Sequence, residues 1–339
     1  MPLENLIEKA FAPARAAIDD ARIPGAVLGL VTADGTRAVR FVGAAQIEPE
    51  PVELKPDMWF DLASLTKVIF TTTRILHYVE EGRIALDDPL VSVIPDLRQY
   101  DMKAAERQLT FRQCLAHNTH LPAVEPLYTY GQDPQTLRAF VLQRLWQPGP
   151  PVYSDINFIL LGIAIERLSG NALIDAELPA GLTFRPDATR CVATERCTWR
   201  GRVIRGEVHD ENAFALGGAS GHAGLFGTID GVLDFARGIL DGSLLSPASI
   251  AAIRHRESAT RSVGWECCHP GWHGGDACSN ATIGHTGFTG TGLWIDFERG
   301  IAWSLLTNRV HPTRHRETGI LALRRETGEI VSAFSDTAL

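Results

Sequence analysis

The stretch FDLASLTK, residues 60–67, decides the fold of this 339-residue chain. Its pattern predicts a helix that begins at Ser64 and runs to about residue 82. Positions i and i+3 share one face of a helix, so the Ser64 hydroxyl and the Lys67 ammonium are expected to meet. A serine hydroxyl is a weak nucleophile until another group accepts its proton, and a lysine accepts a proton only if its pKa falls. We expect burial near the positive end of the helix to lower the pKa of Lys67.

The four-residue pattern S-x-x-K is weak evidence when it stands alone. A serine that caps a helix, followed one turn later by a solvated lysine, fits the same letters. The chain has few lysines, since 28 of its 32 basic residues are arginines and only Lys9, Lys55, Lys67 and Lys103 are lysines. Arginine does not deprotonate, so a lysine at this position favours a role in proton transfer.

A second motif, Tyr153-Ser154-Asp155, follows the proline- and glycine-rich run QPGPPV at residues 147–152. That run predicts a loop, and residues 157–168 predict a helix, so Tyr153 lies on a stiff turn just ahead of a helix. A phenol close to a cation is able to shuttle a proton. The alternative is a tyrosine that packs its ring at the helix entry.

A third motif is GHTGFTGTG at residues 284–292, which holds four glycines in nine residues. Glycines allow the backbone and a ligand to approach closely. We expect the backbone N–H of Phe288 to join that of Ser64 in an oxyanion hole, which stabilises negative charge on a reacting carbonyl. The alternative is a glycine-rich bend at the edge of a sheet.

The order of predicted elements indicates an α+β fold. Strands are predicted at residues 25–31, 36–42, 291–297 and 301–308, with an amphipathic helix at the start and a last helix over about 314–325. This arrangement predicts one antiparallel sheet formed from both chain ends, flanked by helices and carrying an inserted helical lobe. We assign residues 1–85 and 256–339 to the α/β lobe and residues 86–255 to the helical lobe. A cleft between two lobes is a common place for a small-molecule site.

The three motifs, in this order and at this spacing, resemble the serine β-lactamase and penicillin-binding protein superfamily, whose fold is β-lactamase/transpeptidase-like. The resemblance is closest to the branch that holds class C β-lactamases, D-Ala-D-Ala carboxypeptidases and related esterases. Three further stretches extend it along the chain: LTFRQCLAHNTHLP at 109–122, GEVHDENAFALGGASGHAGLF at 206–226 and LTNRVHP at 306–312.

The resemblance implies roles for the first two motifs. Ser64 becomes the acylated nucleophile, Lys67 its proton partner, and Tyr153 the base or acid toward the leaving group. The family often has Asn where this chain has Asp155. A carboxylate there is expected to hold Lys67 charged, which moves more of the base role onto Tyr153.

For the third motif, the resemblance implies a substrate-binding and oxyanion edge made by His285, Thr286, Gly287 and Phe288. Some class C-like members have Lys where this chain has His285. A neutral imidazole lacks the fixed positive charge that grips a substrate carboxylate. Histidine is nevertheless familiar at this position in some peptidase-like members, so the difference weakens the β-lactamase interpretation more than the peptidase one.

These residues predict a serine hydrolase that forms an acyl-enzyme on Ser64. Its expected substrate is a small-molecule ester, a D-amino-acid peptide or, weakly, a β-lactam. Two alternatives stay open: a non-catalytic module that binds a penicillin or peptidoglycan ligand, and an acyltransferase that uses the same site. No cofactor is expected, because the chain has no G-x-x-x-x-G-K-[ST] loop for a nucleotide.

Composition limits the partners. A net charge of -8 and a pI near 5.8 argue against nucleic acid or an anionic membrane as the main partner. The first residues have acids early and apolar residues at helical spacing, which is not the pattern of a signal peptide, so we expect a cytoplasmic protein. The sequence does not decide the oligomeric state.

Two polar clusters have both a functional and a structural interpretation. One cluster has side chains that are able to bind zinc, but the spacing of these residues favours an irregular surface loop. We expect all six cysteines of the chain to be free thiols. The other cluster offers general bases, but tying down a long loop is the favoured interpretation. The members are Cys267, Cys268, His269, His273 and Cys278 in the first, and His209, Asp210, Glu211, Asn212 and His222 in the second.

Overall fold

The computed structural model describes residues 2–333, and its main feature is a seven-stranded antiparallel sheet. The strand order is β3-β2-β1-β12-β11-β10-β9. Three of these strands come from the start of the chain and four from its end, as the sequence predicted. They are β1 Gly25–Thr32, β2 Arg37–Gln46, β3 Val52–Glu53, β9 Glu266–Cys267, β10 Thr282–Thr286, β11 Gly292–Asp296 and β12 Ile301–Thr307.

The sheet is buried on both faces, because successive side chains of a strand point to opposite sides. In β1, Val27 and Val31 enter the larger core, whereas Leu28 and Leu30 enter a second core on the opposite face. Gly29 faces the larger core, where a Cβ atom would lie 2.8 Å from the side chains of Ile229 and Leu233. The absence of a side chain at Gly29 therefore lets a helix lie directly on the sheet.

The described part of the chain contains nine α-helices. They are α1 Leu3–Asp19, α2 Thr73–Glu80, α3 Phe111–Leu115, α4 Pro134–Gln143, α5 Asp155–Ser169, α6 Glu211–Ala215, α7 Ile229–Leu240, α8 Pro247–Arg254 and α9 Ile320–Ser332. Side-chain caps fix several starts: Asp133, Thr228 and Ser246 accept backbone hydrogen bonds at the N-termini of α4, α7 and α8. None of the described helices is long and apolar enough to cross a membrane.

The helices cover the two faces of the sheet. Helices α1 and α9 pack against each other and close the second core, while α7 packs on β1 and β12 from the other side. Helix α7 lies in the segment 86–255, which also contains α3 to α6 and α8. The division of the chain into an α/β lobe and a helical lobe at these boundaries stays a prediction.

The last helix differs from its prediction, since it begins at Ile320 rather than near residue 314. Gly319, with φ +66°, has a left-handed conformation that breaks the helix on its N-terminal side. Arg314, which was expected to start the helix, instead makes ion pairs with Glu195 and Glu211 in an irregular segment. Tertiary ion pairs therefore override the local helical pattern.

Short strands outside the large sheet position the segment that contains Ser64. Strands β4 Phe60–Asp61, β5 Leu182–Thr183 and β8 Phe226–Gly227 form a three-stranded sheet in the order β4-β8-β5, and β6 Arg196–Cys197 pairs with β7 Arg202–Val203. The six cysteines are all free and buried, which confirms the expectation of free thiols.

Candidate active site

Ser64 lies at the start of a helix that directly follows β4. Ala63, the residue before it, has φ +47°, a conformation that residues other than glycine rarely adopt and that costs on the order of 1 kcal/mol. The Ala63 N–H donates to Asp61 Oδ1 at 2.8 Å, and this bond fixes the strained turn. Ser64 is thereby presented to a cleft of about 900 Å³.

A π-helical turn, Lys67–Thr72, begins at Lys67 and lies between Ser64 and α2. Two threonine hydroxyls accompany this wide turn: Thr72 Oγ1 donates to the Lys67 carbonyl at 2.7 Å and Thr73 Oγ1 donates to the Val68 carbonyl at 3.1 Å. Such turns interrupt α-helices mostly at functional sites. The sequence analysis predicted the helix but not its π-helical turn, for which the threonine run 71–73 is the only local signal.

The Lys67 ammonium is fully buried and has three close oxygen partners, two of them hydrogen-bonded and one a carboxylate oxygen in an ion pair. Nζ donates to Ser64 Oγ at 2.9 Å and to the His222 carbonyl at 3.1 Å, and it lies 2.8 Å from Asp155 Oδ1. The spacing of S-x-x-K therefore brings the hydroxyl and the amine together, as expected for one face of a helix.

The pKa of Lys67 moves in the direction opposite to the one expected. Burial lowers it, but the charge of Asp155 and the contact with Tyr153 outweigh burial and raise the pKa above its usual value. The expectation of a lowered pKa is therefore wrong. Lys67 stays an ammonium, as the alternative interpretation of Asp155 predicted.

The Tyr153 ring is packed between two cations and two imidazoles. Its centroid lies 5.0 Å from Lys67 Nζ and 5.2 Å from the Arg261 guanidinium carbon. The His117 ring packs at 4.5 Å from it and the His285 ring at 5.9 Å. These four neighbours fix the phenol in the cleft that Ser64 lines.

Both imidazoles are neutral. Burial, followed by the charges of Arg261 and Lys67, holds the pKa values of His117 and His285 well below their ordinary value. His117 Nδ1 accepts a hydrogen bond from the Ser154 N–H at 3.0 Å, which positions the residue after the phenol. His285 lines the cleft without the positive charge that lysine would supply at this position, as the sequence analysis expected.

The glycine-rich segment 287–291 is clamped onto the backbone that precedes Ser64. Thr289 Oγ1 donates to the Asp61 carbonyl at 2.8 Å, and Thr291 Oγ1 donates to the Leu62 carbonyl at 3.0 Å. A Cβ atom on Gly287 would lie 2.5 Å from that Leu62 carbonyl, so only glycine allows this approach.

This clamp brings the predicted substrate edge to the cleft. Thr286, Gly287 and Phe288 line the cleft beside Ser64. Within residues 2–333, neither the Ser64 N–H nor the Phe288 N–H donates a hydrogen bond to protein. Both donors are therefore left for a ligand.

Arginines dominate one wall of the cleft, which is lined by Arg261, Arg309, Arg314, Arg316 and Arg324. Arg309 and Arg324 have no carboxylate within 4.0 Å among the residues that the structure describes. Buried Arg324 donates to the carbonyls of Gly287 at 2.8 Å and Thr291 at 2.7 Å. Burial and the charge of Arg309 lower the pKa of Arg324 to about 9, so an anion bound nearby would stabilise this guanidinium.

Sequence reasoning missed three residues of the site. His117 lies in the stretch that resembles the family, but no local pattern marks it as a neighbour of Tyr153. Arg324 interrupts the apolar face of α9, and a buried charge on such a face is a usable signal. Arg261 has no local signal, because only the fold brings it to the phenol.

In the cysteine- and histidine-rich stretch 267–278, the cysteines are buried and two histidines contact the Glu266 carboxylate. His269 Nε2 and His273 Nε2 lie 2.9 Å and 3.1 Å from the Glu266 carboxylate, while the Cys278 thiol donates to the Gly274 carbonyl at 2.9 Å. Burial raises the pKa of Cys278 to about 12. No group of three or more metal-ligating side chains is found between residues 2 and 333.

Comparison with known proteins agrees with this geometry. A family model described as "Beta-lactamase" matches residues 7–326. A protein of Escherichia coli O157:H7 named "Putative D-alanyl-D-alanine carboxypeptidase" is 30% identical over 313 residues, which cover 77% of this chain and 71% of the relative. An "N-acetylmuramyl-L-alanine amidase" of Bacillus subtilis (strain 168) is 28% identical over 349 residues, covering 86% of this chain and 78% of the relative.

A solved structure gives the same fold. The class C beta lactamase from Rhodobacter sphaeroides superimposes with a TM-score of 0.73 at 18% identity, covering 96% of this chain and 98% of the other. The fold and the family together define a serine hydrolase of the β-lactamase superfamily. The chain belongs to the beta-lactamase family.

Proposed function

We propose that Ser64 is acylated by substrate and that Tyr153, rather than Lys67, accepts its proton. The observation that carries this proposal is the position of the Lys67 ammonium, 2.9 Å from Ser64 Oγ and 2.8 Å from Asp155 Oδ1. An ammonium with a raised pKa already carries its full set of protons and has no capacity to take another. It orients the hydroxyl and stabilises negative charge on its oxygen as the proton leaves.

The proposed reaction has two half-steps. Ser64 Oγ forms a bond to the substrate carbonyl carbon as its proton moves to the Tyr153 oxygen, which must first have given up its own proton. When the tetrahedral intermediate collapses, the bond to the leaving group breaks and Tyr153 returns the proton to the departing nitrogen or oxygen. Water then attacks the ester carbonyl by the reverse route and releases the acid and free Ser64.

The proposed oxyanion hole uses the backbone N–H groups of Ser64 and Phe288. Two donors that make no bond within the described protein, next to the nucleophile, meet the requirement for groups preorganised toward developing charge. Removing one such donor typically costs a factor of about 10² to 10³ in kcat.

We infer a carboxypeptidase-type substrate, a D-amino-acid peptide with a free carboxylate beside the scissile bond. The arginine wall supports this inference, because Arg309 and Arg324 line the cleft without a carboxylate partner in the described chain. The names of the two relatives, a carboxypeptidase and a muramyl-alanine amidase, are consistent with peptide and amide substrates. Simple esters would react with the same serine but have no carboxylate to bind the arginines of the cleft wall.

The test is covalent labelling followed by a substrate panel. The protein is incubated with a fluorophosphonate and with a penicillin, and mass spectrometry locates any adduct. We expect an adduct on the peptide that contains Ser64, no adduct in Ser64→Ala, and a loss of turnover on the order of 10³-fold or more in that variant. Ser243→Ala, an exposed serine, is the matched control.

The panel distinguishes the possible activities. D-Ala-D-Ala peptides with a free carboxylate, the same peptides with an amidated C-terminus, p-nitrophenyl esters and nitrocefin are compared. Faster turnover of the free-carboxylate peptide supports the proposal, whereas turnover of esters alone favours an esterase. Ligand binding that Ser64→Ala leaves unchanged, without turnover of any substrate, would favour the non-catalytic module.

A further inference from the structure

The turn at residues 220–223 lies directly along the nucleophile helix. Thr71 Oγ1 donates to the Gly221 carbonyl at 2.6 Å, and Lys67 Nζ donates to the His222 carbonyl at 3.1 Å. A Cβ atom on Gly221 would lie 2.0 Å from the Phe158 carbonyl, so the turn is wedged between two helices. Its backbone thereby supplies one of the three partners of the Lys67 ammonium.

Both ring nitrogens of His222 have hydrogen-bond partners within the protein. Nε2 lies 2.9 Å from Asp210 Oδ1 and Nδ1 lies 2.9 Å from Ser220 Oγ, and the ring is buried. Since both ring nitrogens have protein partners, the imidazole has no free atom with which to act on a substrate. Its bond to Asp210 fixes the turn from the side opposite the lysine.

Asp210 connects this turn to the substrate cleft. It lines the cleft and caps α6, where Oδ1 accepts the Ala213 N–H at 2.8 Å. Asn212, the second residue of α6, donates a hydrogen bond to the Glu125 carbonyl at 2.8 Å and accepts one from the Tyr128 N–H at 3.2 Å. The cleft wall and the lysine partner are therefore one hydrogen-bonded unit.

We propose that Asp210 and His222 are positioning residues that hold the His222 carbonyl on the Lys67 ammonium and so keep Ser64 aligned. This inference rests on the proposed function of Ser64 and Lys67. The pair acts through the turn 220–223 and takes no proton from substrate. Asp210 also acts as an anion near the ammonium, since the two charges favour each other.

The groups that face Lys67 decide what a change at Asp210 does to its protonation. They are Tyr153, Asp155, Asp210, His117 and His285. Removing the anion at residue 210 leaves Asp155 in place but removes a favourable charge, so the Lys67 pKa is expected to fall. The expected shift is smaller than the one that removal of Asp155 would cause, because Asp155 is the largest of the charges that raise this pKa.

The experiment uses the small number of lysines in the chain. With only four lysines, protein labelled with ¹³C at the lysine Cε gives few NMR signals, and Lys67→Arg identifies the buried one. Asp210→Asn keeps an oxygen for His222 but removes the charge, whereas Asp210→Ala removes both. We expect the Lys67 titration to move to lower pH in both variants.

Kinetics separate positioning from charge. The rate of Ser64 labelling by a small fluorophosphonate, and kcat and KM on an ester, are measured for both variants. Asp210→Ala is expected to lower kcat and the labelling rate by about 10- to 100-fold with KM changed less than 3-fold, and Asp210→Asn, which keeps the oxygen for His222, to lose less of both rates than Asp210→Ala. His311→Gln, which alters a buried histidine bonded to Thr194 and Ile47, is the control for a purely structural loss.

Two results would overturn the proposal. One is an unchanged Lys67 titration in both variants, which is readable whether or not the enzyme turns over. The other is a lower melting temperature in Asp210→Ala, as in His311→Gln, with kcat and the labelling rate unaltered. A wild-type protein that is never labelled at Ser64 would instead contradict the proposed function, while the NMR titration would still decide the role of the pair.

Discussion

A carboxylate at residue 155 changes what Lys67 is able to do. The ammonium is buried, and burial alone would lower its pKa. Asp155, 2.8 Å away at the first turn of α5, and Tyr153 together outweigh burial and hold the positive charge. In the proposed mechanism the base role therefore falls to Tyr153, and one acidic side chain selects between two mechanisms that the S-x-x-K motif allows equally.

Asp155→Asn tests this assignment. Because Asp155 raises the pKa of Lys67, its removal is expected to lower that pKa, so the ammonium is lost at lower pH. The alkaline limb of the kcat/KM profile should move to lower pH. The profile is measured with an ester from pH 5 to 10, with Asp19→Asn as an exposed control. An alkaline limb that stays in place would mean that Lys67 is not required as a cation.

Arg324→Met tests the arginine wall. The guanidinium is buried beside the cleft, and loss of its charge should weaken binding of a substrate carboxylate. We expect KM for a free-carboxylate peptide to rise about 10-fold or more, with the amidated peptide and an ester changed less than 3-fold. Arg324→Lys keeps a positive charge and should recover part of the loss. An equal loss on all three substrates would mean that Arg324 only supports the Gly287 and Thr291 carbonyls.

At the scale of elements, the segment that joins β10 to β11 decides the geometry of the cleft. Its threonines clamp it to the backbone ahead of Ser64, and its first glycine lies against that backbone. The π-helical turn after Lys67 and the left-handed residue Ala63 bound the nucleophile on its two sides. These irregular elements, rather than the long helices, fix the position of the hydroxyl.

Gly287→Ala tests the clamp. The added Cβ would lie 2.1 Å from Thr291 Oγ1 and 2.5 Å from the Leu62 carbonyl, so the segment must move away from Ser64. A displacement of about 1 Å is expected to lower kcat/KM by about 10²-fold. Gly149→Ala is the matched control, since its nearest neighbour, the His120 carbonyl, lies 3.8 Å away. Unchanged kinetics in Gly287→Ala would mean that this segment does not set the reacting geometry.

At the scale of the whole molecule, buried neutral histidines set how stability depends on pH. Burial lowers the pKa values of His117, His273, His285 and His311 below the unfolded value near 6.5. Below that value the unfolded chain binds protons that the folded chain does not, so stability falls as the pH falls. Their contribution is fully present above about pH 6.5 and is lost on acidification.

Urea unfolding at pH 7.5 and pH 5.5 measures this effect. Each such histidine is expected to reduce the free energy of unfolding by up to about 1.4 kcal/mol per pH unit below 6.5. His311→Gln should make the dependence shallower, because it removes one of the four groups, whereas the exposed variant His315→Gln should leave the slope unchanged. Equal stability at the two pH values would contradict the neutral state of these rings in the folded protein.

Much of the fold followed from local patterns. Alternation and turns predicted the strands at both chain ends, because a sheet with two packed faces requires apolar residues at those positions whatever covers them. Helix α9 was misplaced, since Arg314 has a helical pattern but forms its ion pairs with distant carboxylates. Local patterns fail where a residue's partners lie far away in the chain.

The sequence by itself determined the sheet formed from both chain ends and the pairing of Ser64 with Lys67, because a three-residue helical spacing fixes that contact. Only the tertiary structure decided the charge of Lys67, the neutral state of His285 and the presence of Arg261 and Arg324 at the cleft. Protonation depends on burial and on nearby charges, and the two residues that raise the pKa of Lys67, Tyr153 and Asp155, lie more than eighty residues from it in the chain. Long-range packing, which no local pattern encodes, therefore sets the chemistry of the site.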